Sequence, residues 1–450
     1  MSLRRVVSLV GVLIIAQYSW AIDAPLLVIV AHFAWVAVVG VSARNPTEFI
    51  FLALASALPI SYVNVTGVSD EIMRVSAFNL ITVLALLYFG FMLIIRGKIE
   101  AGWQIIIVFF GCMSVIALWW SMMRSPNLLE GIRSLLAMAL VFLPVLLLPQ
   151  ANAISKSIDF QRIVECYLIA ATATAFFMVI QAVHWIFGME IGTVYARSGR
   201  ISFAGAWFDY SVVSGYLASA VAGWFFLTRK INNGGIVAYL LYALLFVALI
   251  IGLILSGARS GLFAIGISLP FLILYSFAWS GRLRFRIVLL GVLAFFALSI
   301  FAFYIRPSFS TEGGFFDDAR FNNWTVWFLV MAEGGTLANV FGYGLGSMNH
   351  ATIGEGQVMV TPHNLLLEAM LNGGVILTVY TLCLLCVGFT RARFDPVFAA
   401  CLAVGTISML VSPSAYASRF FPFLLVLAAL SVALPARKNR MKAGCNRNEL

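Results

Sequence analysis

The sequence predicts an all-α fold, a polytopic membrane bundle of roughly twelve to fourteen transmembrane helices. Three observations carry that prediction. Of the 450 residues 62% are hydrophobic and only 10% are charged. The mean hydropathy is +1.01. Apolar runs of about 18 residues or more recur from end to end, separated by short polar breaks. Helix follows from the solvent, because backbone left open to lipid has no water to bond with and a spanning segment must close its own hydrogen bonds. This composition excludes a disordered chain, a collagen, a disulfide scaffold and a soluble enzyme.

Taken in order, the candidate spans cover about 6–22, 25–41, 48–64, 75–95, 103–122, 132–149, 163–187, 209–228, 235–256, 261–279, 287–305, 364–389, 397–411 and 419–434. The first two are divided only by Asp23 and Pro25, and the last two by Ser412 and Pro413, so these weak breaks set the lower bound on the count. Residues 1–21 also carry signal-peptide features, with Arg4 and Arg5, an apolar core and a Ser19-Trp20-Ala21 end. The bulk of Trp20 and the apolar run that follows favour an uncleaved first span.

Orientation comes from the basic residues. With the N-terminus cytoplasmic, nineteen of the 28 Lys and Arg fall on the cytoplasmic side, among them Arg44, Arg162, Arg391 and the tail from Arg437. Nine fall outside: Arg74, Arg124, Arg133, Arg197, Arg200, Arg259, Arg306, Arg320 and Arg419. Twelve acids also lie outside and six inside, so the net charge of +10 reports orientation rather than nucleic-acid binding. The longest outer segment is 306–363, and a second is 188–208; from Met189 to Asp209 the sequence reads MEIGTVYARSGRISFAGAWFD. Long loops with aromatic residues and glycines tend to be compact and functional, which places the expected chemistry outside.

The cysteines give no framework. Cys383 and Cys386 match C-x-x-C but sit in an apolar run that lacks the polar surroundings of a reactive pair. His32 and His184 lie in or near spans and read as core residues. His350 and His363 are in the large outer loop, and neither has a neighbour at metal-ligand spacing. In Thr361-Pro362-His363-Asn364, Thr361 reads as an N-cap and Pro362 as the first helical residue, with His363 in the first turn. The positive helix end there disfavours an imidazolium, so His363 would supply a neutral proton acceptor; packing at a helix start is the alternative. Glu368, five residues on, does not share its face.

Arg259, in Ser256-Gly257-Ala258-Arg259-Ser260-Gly261, puts a permanent charge between two spans at the outer boundary. Either it snorkels to a lipid headgroup or its planar fork holds a phosphate or pyrophosphate. Arg197 and Arg200 are similar candidates. Arg320, beside Asp317 and Asp318, reads as a solvated loop ion pair or as a fourth such group. The consecutive acids are a weak metal signal, and Gly342-Tyr343-Gly344-Leu345-Gly346 reads as a flexible turn rather than a phosphate loop.

As a set, the Ser256–Gly261 segment, Arg320, Trp324, Gly342–Gly346, Pro362-His363-Asn364, Leu367 and Gly373-Gly374 resemble the O-antigen ligase and O-antigen polymerase superfamily over about 236–390. Arg200, before Ile201-Ser202-Phe203, is similar to an arginine in that family's earlier periplasmic loop, with Ala204–Asp209 departing from the usual pattern after it. The resemblance implies a GT-C-type bundle with a large, partly helical periplasmic loop. It divides the chain into N-terminal helices (1–162), helices flanking the first periplasmic loop (163–235), a ligase- or polymerase-like core (236–390) and C-terminal helices with a basic tail (391–450). It also implies a metal-independent glycosyltransferase of the bacterial inner membrane, needing no cofactor, with both termini cytoplasmic and its active site periplasmic. The donor would be a glycan on undecaprenyl pyrophosphate. The acceptor would be lipid A-core in a ligase, the favoured reading, or another glycan in a polymerase. A transporter or lipid flippase is the competing class. By the same resemblance His363 would be the base or acceptor-positioning residue, and Arg259 with Arg200 would hold the pyrophosphate.

Overall fold

The computed structural model describes residues 2–67, 75–96, 103–125, 127–197, 200–227, 235–268, 318–345, 352–353, 356–357, 362–392, 395–412 and 415–432. Over these the chain is a helical bundle with two small hairpins. Its helices are α1 (Leu3–Ala21), α2 (Pro25–Ser42), α3 (Pro46–Ala57), α4 (Ala77–Arg96), α5 (Trp103–Met123), α6 (Leu128–Met138), α7 (Leu143–Leu147), α8 (Ala151–Ser157), α9 (Phe160–Ile186), α10 (Tyr210–Leu227) and α11 (Gly235–Ser256). Then come α12 (259–268), α13 (Asp318–Glu333), α14 (Gly335–Phe341), α15 (Leu365–Ala392), α16 (Pro396–Met409) and α17 (Phe420–Ser431). Among the described residues nine helical segments, with the run α6–α8 counted as one, are long and apolar enough to cross a bilayer, the make-up of a multi-pass membrane protein. The expected span 287–305 and the second half of 261–279 lie outside the described residues.

Local chemistry explains where the helices start and stop. Asn45 caps α3 by accepting from Glu48 N (2.9 Å), with Pro46 at the first helical position. Asp395 caps α16 in the same way, taking Val397 N (3.0 Å) and Phe398 N (3.2 Å), again with proline next. Both weak breaks in the sequence are real. Residues 22–24 separate α1 from α2, and 410–412 with 415–419 lie between α16 and α17. The span expected as one helix at 132–149 is instead segmented, α6, α7 and α8 being joined by 3-10 turns at Ala139–Phe142 and Leu148–Gln150. Pro144 and Pro149 are the reason, since each removes an amide donor from the helical ladder.

The core is built around α9 and α10. α9 packs against α1, α3, α10 and α11, while α10 also packs along α16. On α10 the small residues Ser211, Gly215, Ser219 and Gly223 recur every fourth position and let α16 approach closely. A Cβ at Gly215 would lie 2.5 Å from Ser408 Oγ, and one at Gly223 would lie 2.4 Å from Cys401 Sγ. Tyr167 on α9 hydrogen-bonds Ser219 (2.5 Å) inside this seam. By contrast α4 leaves Leu80, Leu84, Leu87, Phe91 and Ile94 exposed, the outward face that lipid would cover.

The bundle has two distinct ends. One gathers residues 42–48 and 157–162. There Arg162 pairs with Glu48 (3.1 Å) and donates to Ser42 O (2.5 Å), Arg44 N donates to Glu48 (2.7 Å), and Asn45 Nδ2 reaches Ser157 O (2.6 Å). The other end gathers residues 58–67, 121–125, 187–197, 200–211, 256–260, 342–345, 362–368, 410–412 and 415–419. It carries the first hairpin, β1 (Val194–Arg197) with β2 (Arg200–Phe203), inside the segment that the sequence places between two helices.

Candidate functional site at the hairpin end

Arg259 is the first residue of α12 and is half-buried. Gly257, at φ +64°, turns the chain sharply between α11 and α12 and delivers Arg259 to the bundle end. This turn is seated on the start of α10. Ser214 Oγ donates to Ala258 O (3.4 Å), and Ser260 Oγ donates to Ser211 O (3.4 Å). Gly261 permits the approach, because a Cβ there would meet Ser214 Oγ at 2.3 Å. Among the described residues no carboxylate pairs with Arg259.

Arg197 and Arg200 are opposite each other in the register and close the hairpin, and β2 packs against α11, the helix that leads to Arg259. Their side chains, and that of Arg320, lie outside the described residues. The structure thus seats the arginine hairpin on the helix that precedes the Arg259 turn, although 62 residues of numbering separate Arg197 from Arg259.

His363 sits differently from its sequence reading. Thr361 lies outside the described residues, and neither Pro362 nor His363 is helical. The N-cap of α15 is Asn364, whose Oδ1 accepts from Leu366 N (2.9 Å) and Leu367 N (3.3 Å). His363 is the residue just before that cap, half-buried, with a left-handed backbone at φ +45°. That conformation is sparsely populated for a residue other than glycine, and such outliers cluster at functional sites. It remains beside the positive end of α15. Trp324 on α13 donates through Nε1 to Pro362 O (2.7 Å), so the helix that holds Arg320 is tied to the backbone next to His363. Asp318 and Arg320 belong to the first turn of α13, which corrects the loop expected there.

Gly342-Tyr343-Gly344-Leu345 is likewise a packed buckle and not a flexible turn. Gly344 N donates to Ser121 Oγ (3.1 Å), Leu345 N to Ser121 O (3.0 Å) and Tyr343 N to Leu371 O (2.8 Å), which joins α5 to α15. Gly342 and Gly344 have φ of +98° and +120°. Gly373 and Gly374 break α15, and the break admits the α14 backbone, since a Cβ on Gly374 would lie 2.2 Å from Val340 O. Gly346 and His350 lie outside the described residues.

The two halves of this end meet through residues that sequence reasoning left without a role. Glu368 is buried, and its carboxylate accepts Ala415 N (2.5 Å) and Tyr416 N (3.2 Å), tying the first turn after His363 to the 415–419 turn. Tyr62 donates to Ala417 O and packs on Trp207 and Phe208, which lead out of the hairpin. Arg419, buried and at φ +60°, lies 4.0 Å over the Tyr62 ring and donates to Ser76 Oγ (3.2 Å). The one signal for Arg419 is a lone arginine placed directly before the apolar run Phe420-Phe421-Pro422. Asp209 caps α10 by accepting Ser211 N (2.6 Å) and Val212 N (3.1 Å). Burial pushes its carboxyl above the usual range, and the cap bonds pull the other way.

No protein-family model matches this sequence, and no curated protein matches it.

Proposed function

We propose that the protein is a lipid-linked glycan transferase of the O-antigen ligase and polymerase kind, a GT-C-type enzyme with about twelve to fourteen spans in a bacterial inner membrane. In this reading the hairpin end faces the periplasm, and both termini and the Arg162 end face the cytoplasm. The observation that carries it is the seating of the Arg200 strand on the helix that leads to Arg259, at the same end as the strained His363.

The donor is a glycan on undecaprenyl pyrophosphate. Arg259 and Arg200, with Arg197 and Arg320 as further candidates, hold the pyrophosphate and stabilise its charge as the anomeric C–O bond breaks. His363, as a neutral imidazole, would accept the proton of the acceptor hydroxyl as that oxygen attacks the anomeric carbon. Undecaprenyl pyrophosphate leaves, and no metal is required. The acceptor in the leading reading is lipid A-core, which makes the enzyme an O-antigen ligase; a polymerase would use a second lipid-linked glycan and the same residues.

The test is the lipopolysaccharide and polysaccharide profile of a deletion strain. Lipid-linked polymer left unligated is the ligase result, single repeats are the polymerase result, and an unchanged profile overturns both. A transporter is the second reading, favoured by the interrupted helices at 128–157 and 365–392. Substrate movement across vesicles by reconstituted protein, insensitive to His363→Ala, would establish it instead.

A further inference from the structure

We propose that Gln181 is a positioning residue for the hairpin arginines, its side-chain amide fixing the base of the β1–β2 hairpin to α9. This rests on the reading of Arg197 and Arg200 as groups that hold the donor's pyrophosphate. Gln181 lies on α9 and is 1% exposed. Its Nε2 donates to Ile191 O (2.7 Å) and Gly205 O (3.3 Å), and its Oε1 accepts from Gly205 N (2.9 Å). One amide therefore grips both strands of the hairpin below their first paired residues, Val194 and Phe203. The ladder continues directly above it, with Thr193 N donating to Gly205 O (3.0 Å) and Ala204 N to Thr193 O (3.0 Å).

The chemistry of the grip is specific to an amide. Ile191 O takes a donor and Gly205 N an acceptor from the same side chain, in the same buried place, and Gly205 O, which also accepts Thr193 N, takes a second donor. A glutamate offers no donor to Ile191 O, and a leucine offers neither function. The glycines on the hairpin side are shaped to this contact. A Cβ on Gly192 would lie 2.6 Å from Gln181 Nε2, and Gly205 holds φ +66°. α9 is among the most buried helices of the bundle, so the hairpin is mounted on a rigid support. A slip of one residue in a two-stranded ladder turns every side chain to the other face, and the Gln181 contacts fix that register. Gln181 touches no substrate in this account; it acts through where the arginines are presented.

The test uses the full-length protein reconstituted with a lipid-linked glycan donor and its acceptor. In Gln181→Leu the donor KM rises about tenfold or more while kcat and the acceptor KM stay within about twofold. Amide hydrogen exchange quickens over 193–205 and not in α10. Gly192→Ala, which presses on the same amide from the hairpin side, raises the donor KM in the same way and serves where Gln181→Leu fails to fold. An unchanged donor KM in both variants, with Arg197→Ala or Arg200→Ala raising it, overturns the role of Gln181 alone. A fall in kcat at constant donor KM overturns it too. If Arg197→Ala, Arg200→Ala and the double variant all leave the donor KM unchanged, the reading of the hairpin arginines falls, and this inference falls with it.

Discussion

At the end of the bundle formed by residues 42–48 and 157–162, arginine meets carboxylate: Arg162 with the buried Glu48, and Arg44 with Asp159 at 3.6 Å. At the hairpin end two arginines have contacts of another kind. Arg419 lies over the ring of Tyr62 and bonds a serine, and Arg259 stands at a glycine turn with no described carboxylate against it. A buried cation matched by a buried anion is committed to structure, because removing either leaves the other uncompensated. A guanidinium held at a boundary without a matching acid is open to an anion that arrives from elsewhere. The difference teaches where to look for binding.

That contrast can be broken by experiment. The largest effects belong to His363→Ala and Arg259→Ala. Each should lower glycan transfer by about a hundredfold or more while membrane abundance stays near normal, as measured by transfer assay and immunoblot. Arg259→Lys should also transfer poorly, because an ammonium does not reproduce the fork. Loss of abundance in these variants would make the hairpin end structural and erase the difference. Glu48→Ala should do the opposite, costing about 3–5 kcal/mol of stability; a variant that folds normally but fails in transfer would reverse the assignment of the two ends.

Smaller effects sharpen it. Gly374→Ala puts a Cβ against Val340 O at φ +65° and should cost about 1–3 kcal/mol in thermal unfolding, with a matching loss of transfer as the α14 seat shifts. The smallest change is at Asp209. Asp209→Ala should cost about 1 kcal/mol through loss of the α10 cap, whereas asparagine keeps the cap. Because the folded-state pKa of Asp209 is raised, its contribution is full below the unfolded value and is lost as pH rises through the folded one. Asp209→Asn should therefore flatten melting temperature against pH over that window and be slightly more stable above it.

Much of the helical framework was legible in the chain, since it depends on neighbours in sequence. Asn45-Pro46 and Asp395-Pro396 announce helix starts by capping chemistry, and the Pro25 and Ser412 regions mark true breaks. The segmentation at 128–157 was legible too, through Pro144 and Pro149, but the run's hydropathy hid it. At His363 the nearer signal misled. A threonine followed by proline marks a helix start only when no better cap comes after it, and Asn364, whose side chain reaches two amides, starts α15 in place of Thr361.

Fold class and the weak breaks between helices follow from the sequence alone, because hydropathy and capping act over a few residues. The tertiary structure decided what touches what. Only folding seats the Arg259 turn on Ser211 and Ser214, locks Glu368 to the amides of Ala415 and Tyr416, and fits the Gly342–Leu345 buckle between α5 and α15. Those contacts join residues 28 to 224 positions apart, where no local propensity acts and packing in three dimensions selects the partners.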